Sequence, residues 1–339
     1  MRQAVMTEPG RIEYREADPP APGAGEVLLR IQRIGVCGSD IHVYHGKHPF
    51  TPYPVVQGHE YCGVVEAVGA GVQGIAPGML ATARPQLVCG ECGPCRRGDY
   101  NVCEDLRVEG FQAPGCAQDL FVVPMDRIVP LPAGMTPEQG ALVEPVSVGC
   151  HATSRAGDLR KKNVVVMGAG TIGNLISQVA LGRGARNLLI VDVSGYRLEV
   201  ARQCGISNTS NASDESFEEA AQRVFGEEGF QVGIEAAGAQ AALSALVKGL
   251  EKGGTFISVG VFEQPPQIDM SVVCEHELRV LGSMMYKHED YLQAVELIAA
   301  GKVETEPLVT RHFPFEHYLE AYTFIDAQRD RTMKVMVDL

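Results

Sequence analysis

Two patterns of apolar and polar positions follow one another along the chain, and they change at about residue 148. Up to that point, short apolar runs such as 27–31 and 61–68 alternate with stretches rich in Gly and Pro. Short strands joined by tight turns are typical of this pattern. The first part of the chain is therefore predicted to be β-rich.

From residue 163 the pattern is that of alternating strands and helices. A buried strand at 164–167 is followed by a glycine turn, a helix and a second strand at 188–192. The helix keeps one face apolar, through Ile172, Leu175, Ile176, Val179 and Ala180. This βαβ order predicts a parallel sheet with helices on its faces.

The same pattern continues to about residue 284, with strand-like runs at 233–236, 255–260 and 278–282. Beyond it, residues 291–300 are predicted to form an amphipathic helix and residues 334–338 a closing strand. The segment 285–339 is too short for a third domain, so we expect it to pack back onto one of the other two.

The composition narrows the class of protein. With 339 residues, of which 45% are hydrophobic, the chain is long enough for two domains with full cores. Its net charge of −13 argues against nucleic-acid binding, which normally relies on a basic patch. No apolar segment approaches the ~20 residues that cross a bilayer, and the N-terminus becomes polar too early for a signal peptide. We therefore expect a cytoplasmic protein without a nucleic-acid or membrane partner.

A glycine turn, Gly-Ala-Gly-Thr-Ile-Gly at residues 168–173, stands directly after a buried strand and opens a helix. In dinucleotide-binding proteins the first glycine makes the turn, the second lets backbone approach a pyrophosphate, and the third lets helix and strand pack closely. The alternative is a tight turn without a ligand. The strand, the helix and a following acid favour a dinucleotide, with these candidate binding residues: Gly168, Gly170, Thr171, Ile172 and Gly173.

That acid is Asp192, which ends the next strand nineteen residues after Gly173. A carboxylate at this place bonds a ribose 2′-hydroxyl and repels a 2′-phosphate, so NAD is predicted rather than NADP. Arg197 is a further candidate cofactor residue. Four more stand at later strand ends, where they are expected to contact the nicotinamide half: Val259, Gly260, Gly282 and Ser283.

The ten cysteines are unevenly distributed, and four of them lie within fifteen residues: Cys89, Cys92, Cys95 and Cys103. In a long chain without an export signal, such a cluster indicates a metal site rather than disulfides. Four thiolates complete a tetrahedral zinc ion, so a structural zinc is predicted, with an iron–sulfur cluster as the alternative. Four other cysteines are predicted to be small buried hydrophobes: Cys62, Cys150, Cys204 and Cys274.

A second group of ligand-type residues is more dispersed: Cys37, His59, Glu60 and Glu144. Thiolate, imidazole and carboxylate all bind zinc, and three protein ligands with a water make a catalytic zinc site. A lone His or Glu is more often a surface or hydrogen-bonded residue. The residues by themselves therefore leave both interpretations open.

Five strings, taken in order, resemble those of zinc-dependent medium-chain dehydrogenases. They are Cys-Gly-Ser-Asp-Ile-His at 37–42, Gly-His-Glu at 58–60, the four-cysteine segment, Glu-Pro-Val-Ser-Val-Gly at 144–149 and the glycine turn. The resemblance covers essentially the whole chain. It is greatest to the polyol and sugar branch, which includes sorbitol, galactitol-phosphate and galactonate dehydrogenases.

The resemblance implies an α/β architecture with a GroES-like, β-rich catalytic domain at residues 1–147 and a structural zinc lobe at 85–105. A Rossmann domain with a doubly wound parallel sheet would follow at 148–284, and the segment 285–339 would return to the catalytic domain. The active site would lie between the two domains. Relatives are usually dimers or tetramers, so a homodimer or homotetramer is expected.

By the same resemblance, Cys37 and His59 hold a catalytic zinc ion. Related enzymes use either the acid that matches Glu60 or the one that matches Glu144 as the third ligand, and some exchange the two during turnover. Both are therefore candidates, with Glu144 preferred.

The resemblance also implies a path for the substrate proton. Ser39 stands where the family places a hydroxyl that passes this proton towards solvent, and His42 would be the next member of the relay. Asp40 would orient one of the zinc ligands.

These residues together predict an enzyme with two zinc ions per chain that oxidises a secondary hydroxyl to a ketone with NAD. The substrate would be a polyol, sugar, sugar acid or sugar phosphate. Alternatives are threonine, a cyclitol or aminocyclitol, or a cofactor-binding structural protein of the same fold. Substrate hydroxyls could be bound by four polar residues: His45, Arg84, Glu109 and Gln112.

Overall fold

The chain folds into two units, which the computed structural model describes over residues 1–339, apart from the side chain of Asp330. The first unit consists of Met1–Glu144 and Val309–Leu339, and the second of Pro145–Leu308. The C-terminal part of the chain thus divides near residue 308. The resemblance implies that all of 285–339 returns to the first domain, but only residues 309–339 do so.

The strands alternate with turns in the first part of the chain and with helices afterwards. In chain order they are β1 (Arg2–Glu8), β2 (Arg11–Glu16), β3 (Glu26–Val36), β4 (Val55–Val56), β5 (Glu60–Val68), β6 (Leu80–Ala83), β7 (Gln86–Leu87), β8 (Arg107–Val108), β9 (Leu120–Pro124), β10 (Ile128–Pro130), β11 (Asn163–Met167), β12 (Asn187–Asp192), β13 (Thr209–Asn211), β14 (Phe230–Glu235), β15 (Leu250–Ser258), β16 (Arg279–Gly282), β17 (Val309–Pro314) and β18 (Lys334–Asp338).

Most of the helices lie in the second unit. They are α1 (Gly38–Tyr44), α2 (Gly93–Arg96), α3 (Pro137–Arg155), α4 (Thr171–Gly182), α5 (Gly195–Gln203), α6 (Phe217–Phe225), α7 (Gln240–Gly249), α8 (Met270–Glu275), α9 (His288–Ala299) and α10 (Tyr318–Ala327).

The first unit is built around β3, which pairs antiparallel with β5 on one side and with the C-terminal strand β18 on the other. This sheet has the order β10-β6-β5-β3-β18-β17, and β9 also pairs with β3. Val335 and Val337 of β18 are fully buried in the same core as Leu29 and Ile31 of β3. Burial of these alternating apolar positions explains why the C-terminal strand joins the β-rich unit.

The second unit is a six-stranded parallel sheet with the order β13-β12-β11-β14-β15-β16. Its central strand β11 is fully buried along its length. Val164 and Val166 face one apolar cluster, and Val165 and Met167 face another. A strand covered on both faces is apolar throughout. The predicted architecture, a β-rich unit with a doubly wound parallel-sheet unit, is confirmed.

Residues 285–308 belong to the second unit because their contacts lie there. Leu297 of α9 packs against Gly182 at the end of α4. The Gln178 side-chain amide donates to the carbonyl of Glu304 (3.0 Å), and the Glu304 N–H donates back to Gln178 (2.6 Å). These contacts place residues 285–308 in the second unit, although the next strands in sequence, β17 and β18, belong to the first unit.

The lone cysteines divide as follows. Cys62, Cys150 and Cys204 are buried, as predicted, whereas Cys274 is exposed and the prediction for it is wrong. Cys274 lies on α8, a short helix with no buried residue. Within the described part of the chain, no helix has both the length and the apolar character needed to cross a membrane.

Candidate metal centres and cofactor site

The four sulfurs of Cys89, Cys92, Cys95 and Cys103, the four-cysteine cluster, lie within 4.8 Å of one another. Measured separations are 3.5 Å for Cys103–Cys89, 3.8 Å for Cys92–Cys103 and 4.0 Å for Cys89–Cys95. Four thiolates bound tetrahedrally to one zinc ion at 2.3 Å are ~3.8 Å apart. The geometry therefore fits a closed zinc site.

Backbone N–H groups in the same loop point at these sulfurs. The N–H of Cys92 donates to Cys89 (3.3 Å), and the N–H of Cys89 donates to Cys103 (3.4 Å). Backbone donors from Glu104 and Cys95 lower the pKa of the Cys92 thiol to about 6. Donors that favour the thiolate form favour metal binding as well.

Cys37, His59 and Glu60, the mixed cluster, also bring their ligand atoms within 4.8 Å of one another. Cys37 follows β3, while His59 and Glu60 stand at the start of its neighbour β5, where Glu60 is opposite Gly35. A Cβ at Gly35 would lie 2.2 Å from a Glu60 carboxylate oxygen, so only glycine leaves room for this acid. Strand pairing thus brings together three of the four candidate ligands.

Asp40 supports the mixed cluster from the first turn of α1. It is fully buried, and its Oδ2 accepts a hydrogen bond from the N–H of Cys37 (2.9 Å). Its Oδ1 lies 3.5 Å from Nδ1 of His59. Burial lowers the pKa of His59, but the Asp40 charge and the Cys37 side chain outweigh burial and hold this pKa well above its usual range. The cluster therefore attracts positive charge, as a cation site must.

The two candidate acids differ in their surroundings. Among the described residues, Glu60 forms the group with Cys37 and His59, and Glu144, the acid preferred in the sequence analysis, is not a member of it. Both carboxylate oxygens of Glu60 accept hydrogen bonds from Lys334 (2.7 and 2.6 Å). Glu144 is buried and close enough for its charge to raise the pKa of Lys334.

The two relay candidates lie on α1. The Ser39 hydroxyl oxygen is 3.8 Å from the Cys37 sulfur. His42 lies one turn further along the helix and is exposed. The structure therefore places a hydroxyl near the Cys37 sulfur and an exposed imidazole further along the same helix.

An aromatic contact of His59 was missed in the sequence analysis. The Phe111 ring lies 4.9 Å from the His59 ring, centroid to centroid. The Phe111 ring also stacks on His48, at 4.8 Å and with an interplanar angle of 24°. The Thr51 hydroxyl is 2.7 Å from Nδ1 of His48. No periodicity singles out Phe111, because it stands in an irregular segment after β8.

The four polar residues that were expected to bind substrate hydroxyls have local partners. Glu109 is 2% exposed and is bonded by Arg127 and Tyr61. His45 is 2.7 Å from Asp326, Arg84 donates to the carbonyl of Asp126, and the Gln112 side chain accepts from the N–H of Val108. For Glu109 the expectation is wrong, because its carboxylate is buried and paired with the buried Arg127 guanidinium inside the unit.

The glycine turn has the form that dinucleotide binding needs. Gly168 has a φ of +101°, which disfavours other residues. A Cβ at Gly173 would lie 1.8 Å from the carbonyl oxygen of Gly168, whereas a Cβ at Gly170 would meet only open space. Gly170 is the N-cap of α4, and Thr171 and Ile172 form its first turn. The N–H groups at the start of such a helix can bind phosphate.

Asp192 ends β12 beside this turn. Its side chain also bonds the backbone of the turn, a contact that sequence reasoning missed. Its Oδ2 accepts from the N–H of Ala169 inside the turn (2.6 Å), and its Oδ1 accepts from the N–H of Ser194 (2.8 Å). Each carboxylate oxygen has a second lone pair for a ribose hydroxyl. Arg197 lies in the first turn of the following helix α5, where its N–H donates to Ser194.

The remaining candidates lie at the same, carboxyl edge of the parallel sheet. Val259 and Gly260 follow β15 and donate their N–H groups to the carbonyl of Glu235 (2.9 and 3.0 Å). Gly282 ends β16, and the N–H of Ser283 bonds Ser258 (3.0 Å). Ligands of open α/β sheets bind at this edge.

Matches to known families agree with the geometry. The family model for the alcohol dehydrogenase GroES-like domain matches residues 23–133, and the model for zinc-binding dehydrogenases matches residues 171–300. These two matches identify the chain as an alcohol dehydrogenase of the zinc-binding type. It belongs to the zinc-binding dehydrogenase family, as the motif resemblance predicted.

Individual relatives span nearly the whole chain. The 2-dehydro-3-deoxy-L-galactonate 5-dehydrogenase of Pseudoalteromonas atlantica is 33% identical over 94% of this chain and 93% of its own. The L-threonine 3-dehydrogenase of Legionella pneumophila (strain Corby) is 31% identical over 93% of each chain. The crystal structure of the alcohol dehydrogenase RspB of Escherichia coli CFT073 with NADH has a TM-score of 0.92 and 28% identity, covering 100% of this chain and 99% of its own.

Proposed function

We propose that this dehydrogenase oxidises a secondary hydroxyl of a polyol, sugar, sugar acid or sugar phosphate to a ketone, with NAD as the hydride acceptor. The observation that carries the proposal is the mixed cluster of Cys37, His59 and Glu60, which offers three ligands of three chemical types. Three protein ligands leave a coordination position for substrate. The galactonate-type relative supports the substrate class, and the NADH complex of RspB supports the cofactor.

Two zinc ions would have separate roles. The four-cysteine cluster would hold a structural ion. The mixed cluster would hold the second, through Cys37, His59 and either Glu60 or Glu144. Zinc at the mixed cluster would polarise the substrate oxygen and lower the pKa of the hydroxyl, and the nicotinamide would accept hydride from carbon.

The chain's own side chains would orient the reactants and move the proton. Asp40 holds the position of the thiolate through the Cys37 N–H, and its other oxygen places a negative charge 3.5 Å from the His59 ring. Ser39 takes the hydroxyl proton and His42 passes it on to solvent. Asp192 binds the ribose 2′-hydroxyl while it holds the glycine turn closed at Ala169. Arg197, Val259, Gly260, Gly282 and Ser283 complete the cofactor site.

Threonine is the second candidate substrate, because the Legionella relative is a threonine dehydrogenase at nearly the same identity. Both a polyol and threonine carry a secondary hydroxyl next to a carbon that bears another polar group, a hydroxyl in the polyol and an amino group in threonine.

We propose a homodimer or homotetramer as the assembled form.

The test is reduction of NAD, followed at 340 nm, by the zinc-loaded protein over polyols, aldonates, cyclitols, their phosphates and threonine. Activity on one of the sugar-derived alcohols, abolished in Cys37→Ser, is the expected result. The matched control is Cys274→Ser, which changes an exposed thiol on α8. Activity on threonine alone would favour the second candidate. Activity that survives in Cys37→Ser would contradict the assignment of the mixed cluster.

A further inference from the structure

The first unit contains a buried ion pair, Glu109 with Arg127, that the proposed reaction does not use. The segment that carries the four cysteines begins and ends at the hairpin of β7 and β8, where Gln86 pairs with Val108. The N–H of Glu109 closes the hairpin by donating to the carbonyl of Pro85 (3.0 Å). Glu109 is therefore the first residue after the four-cysteine segment.

The Glu109 carboxylate is bonded at both oxygens. Arg127 donates to Oε1 (2.5 Å), and the Tyr61 hydroxyl donates to Oε2 (2.9 Å). Glu109 is 2%, Arg127 8% and Tyr61 0% exposed. Burial raises the pKa of Glu109, and the Arg127 charge opposes the rise. Arg127 also donates to the carbonyl of Arg84, just before β7 (3.2 Å).

Glu109 and Phe111, which follow the four-cysteine segment, contact the ligand-bearing end of β5 at two points. Tyr61, held by Glu109, follows the candidate ligands His59 and Glu60 directly in sequence. Phe111, two residues after Glu109, lies against the ring of His59 (4.9 Å). A shift of Glu109 would therefore move both the strand that carries the ligands and the ring that packs on one of them.

We propose that Glu109 is a positioning residue for the mixed cluster: through Tyr61 and Phe111 it holds His59 and Glu60 in register with Cys37. The proposal rests on the proposed function, in that the mixed cluster binds a metal ion. Stability alone does not explain a buried ion pair, because an apolar trio of similar volume is often as stable or more so. Fixed orientation of a metal ligand does explain it, because such outer partners contribute to metal affinity.

The experiment measures Co²⁺ binding at the mixed cluster, not turnover. The mixed-cluster signal is defined as the visible Co²⁺ absorption that the wild type shows and Cys37→Ser lacks. Competition with a chelator gives the affinity at this cluster. Glu109→Gln keeps the shape of the side chain and removes its charge. The matched control is Glu66→Gln. Glu66 is also on β5, and its substitution breaks an exposed ion pair with Arg30 of β3 (2.6 Å).

Glu109→Gln is expected to weaken Co²⁺ binding by about 10-fold, the lower end of the effect of a group that bonds a ligand directly, because Glu109 acts through Tyr61 and Phe111. It should also shift the absorption bands, while Glu66→Gln leaves both unchanged. Tyr61→Phe removes the hydrogen bond to Glu109 and leaves every charge in place. It is expected to weaken Co²⁺ binding by about 2- to 10-fold. If Glu109→Gln does not fold, Tyr61→Phe decides. Wild-type affinity and bands in the variants that fold would overturn the proposal, even if their melting temperatures fall. A wild type without the Co²⁺ signal would instead overturn the proposed function.

Discussion

The ammonium group of Lys334 lies 2.7 and 2.6 Å from the two carboxylate oxygens of Glu60, and both residues are buried in the first unit. Lys334 also donates to the carbonyl of Val36 (3.1 Å), next to Cys37. The pair joins the last strand of the chain to the strand that carries two candidate zinc ligands. Burial lowers the pKa of Lys334, but Glu60 and Cys37 outweigh burial and raise it above its ordinary value.

Loss of this lysine should be strongly destabilising. Lys334→Met leaves the Glu60 carboxylate buried without its cation, which costs about 3 to 5 kcal/mol when one partner of a buried pair is removed. Lys334→Met combined with Glu60→Gln should recover part of this loss. Urea unfolding measures both. Lys248→Met, at an exposed position of α7, is the control and should change the free energy of unfolding by less than about 0.5 kcal/mol.

The two clusters should hold one zinc ion each. Elemental analysis is expected to give about two zinc ions per chain, falling to about one in Cys37→Ser with the fold retained. Cys103→Ser should lose the other ion together with stability, because a closed site contributes to folding. Cys274→Ser should keep both ions. Iron in the wild-type protein, or a single metal ion per chain, would show that the cluster assignment is incorrect.

Asp192 should control the choice of cofactor. The wild type should prefer NAD, and Asp192→Ser should narrow the preference because it removes charge repulsion against a 2′-phosphate. The structure adds a consequence, since Asp192 also bonds the N–H of Ala169. Affinity for NAD should therefore fall in Asp192→Ser and fall less in Asp192→Asn, which keeps an acceptor. Fluorescence titration with NADH and NADPH checks this, and equal wild-type affinity for both would refute it.

Ser39 should act on the rate and not on binding. Ser39→Ala is expected to slow alcohol oxidation by on the order of 10² to 10⁴, because a zinc-bound hydroxyl must lose a proton where few acceptors are available. Zinc content and NAD affinity should stay unchanged, and Ser39→Thr, which retains a hydroxyl, should keep most of the activity. Unchanged turnover with a lower melting temperature would mean that Ser39 only stabilises the start of α1.

Glu215 should make the second unit sensitive to acid. Hydrogen bonds from Arg223 and Ser210 lower the pKa of Glu215 to about 2, from an ordinary value of 4.5. A depressed pKa stabilises the fold above pH 4.5, and this contribution disappears as the pH falls towards 2. Relative to Glu215→Gln, the wild type should be more stable at pH 7 by up to about 1 kcal/mol, since the pair is partly exposed. Paired urea titrations at pH 7, 4 and 3 should show the difference shrinking. A difference that grows in acid would contradict the sign.

Sequence by itself determined the features whose residues are close together in the chain. The four cysteines lie within one loop, and the glycine turn lies between one strand and one helix, so spacing and local geometry were enough to predict both. The alternation of strands and helices likewise predicted the parallel sheet, because its central strands β11 and β12 are covered on both faces and are apolar nearly throughout.

Only the tertiary structure shows that Glu60 lies close to Cys37 and His59, because β3 and β5 bring these residues together by pairing across the sheet. Lys334 stands 274 residues from Glu60 in sequence. The pattern of apolar and polar residues in β18 does not predict that its lysine side chain is buried. Polarity alone makes Glu109 a candidate for binding substrate hydroxyls, whereas in the fold it is buried and bonded to Arg127 and Tyr61. Long-range pairing and the desolvation of charge select such partners, and neither is encoded in local spacing.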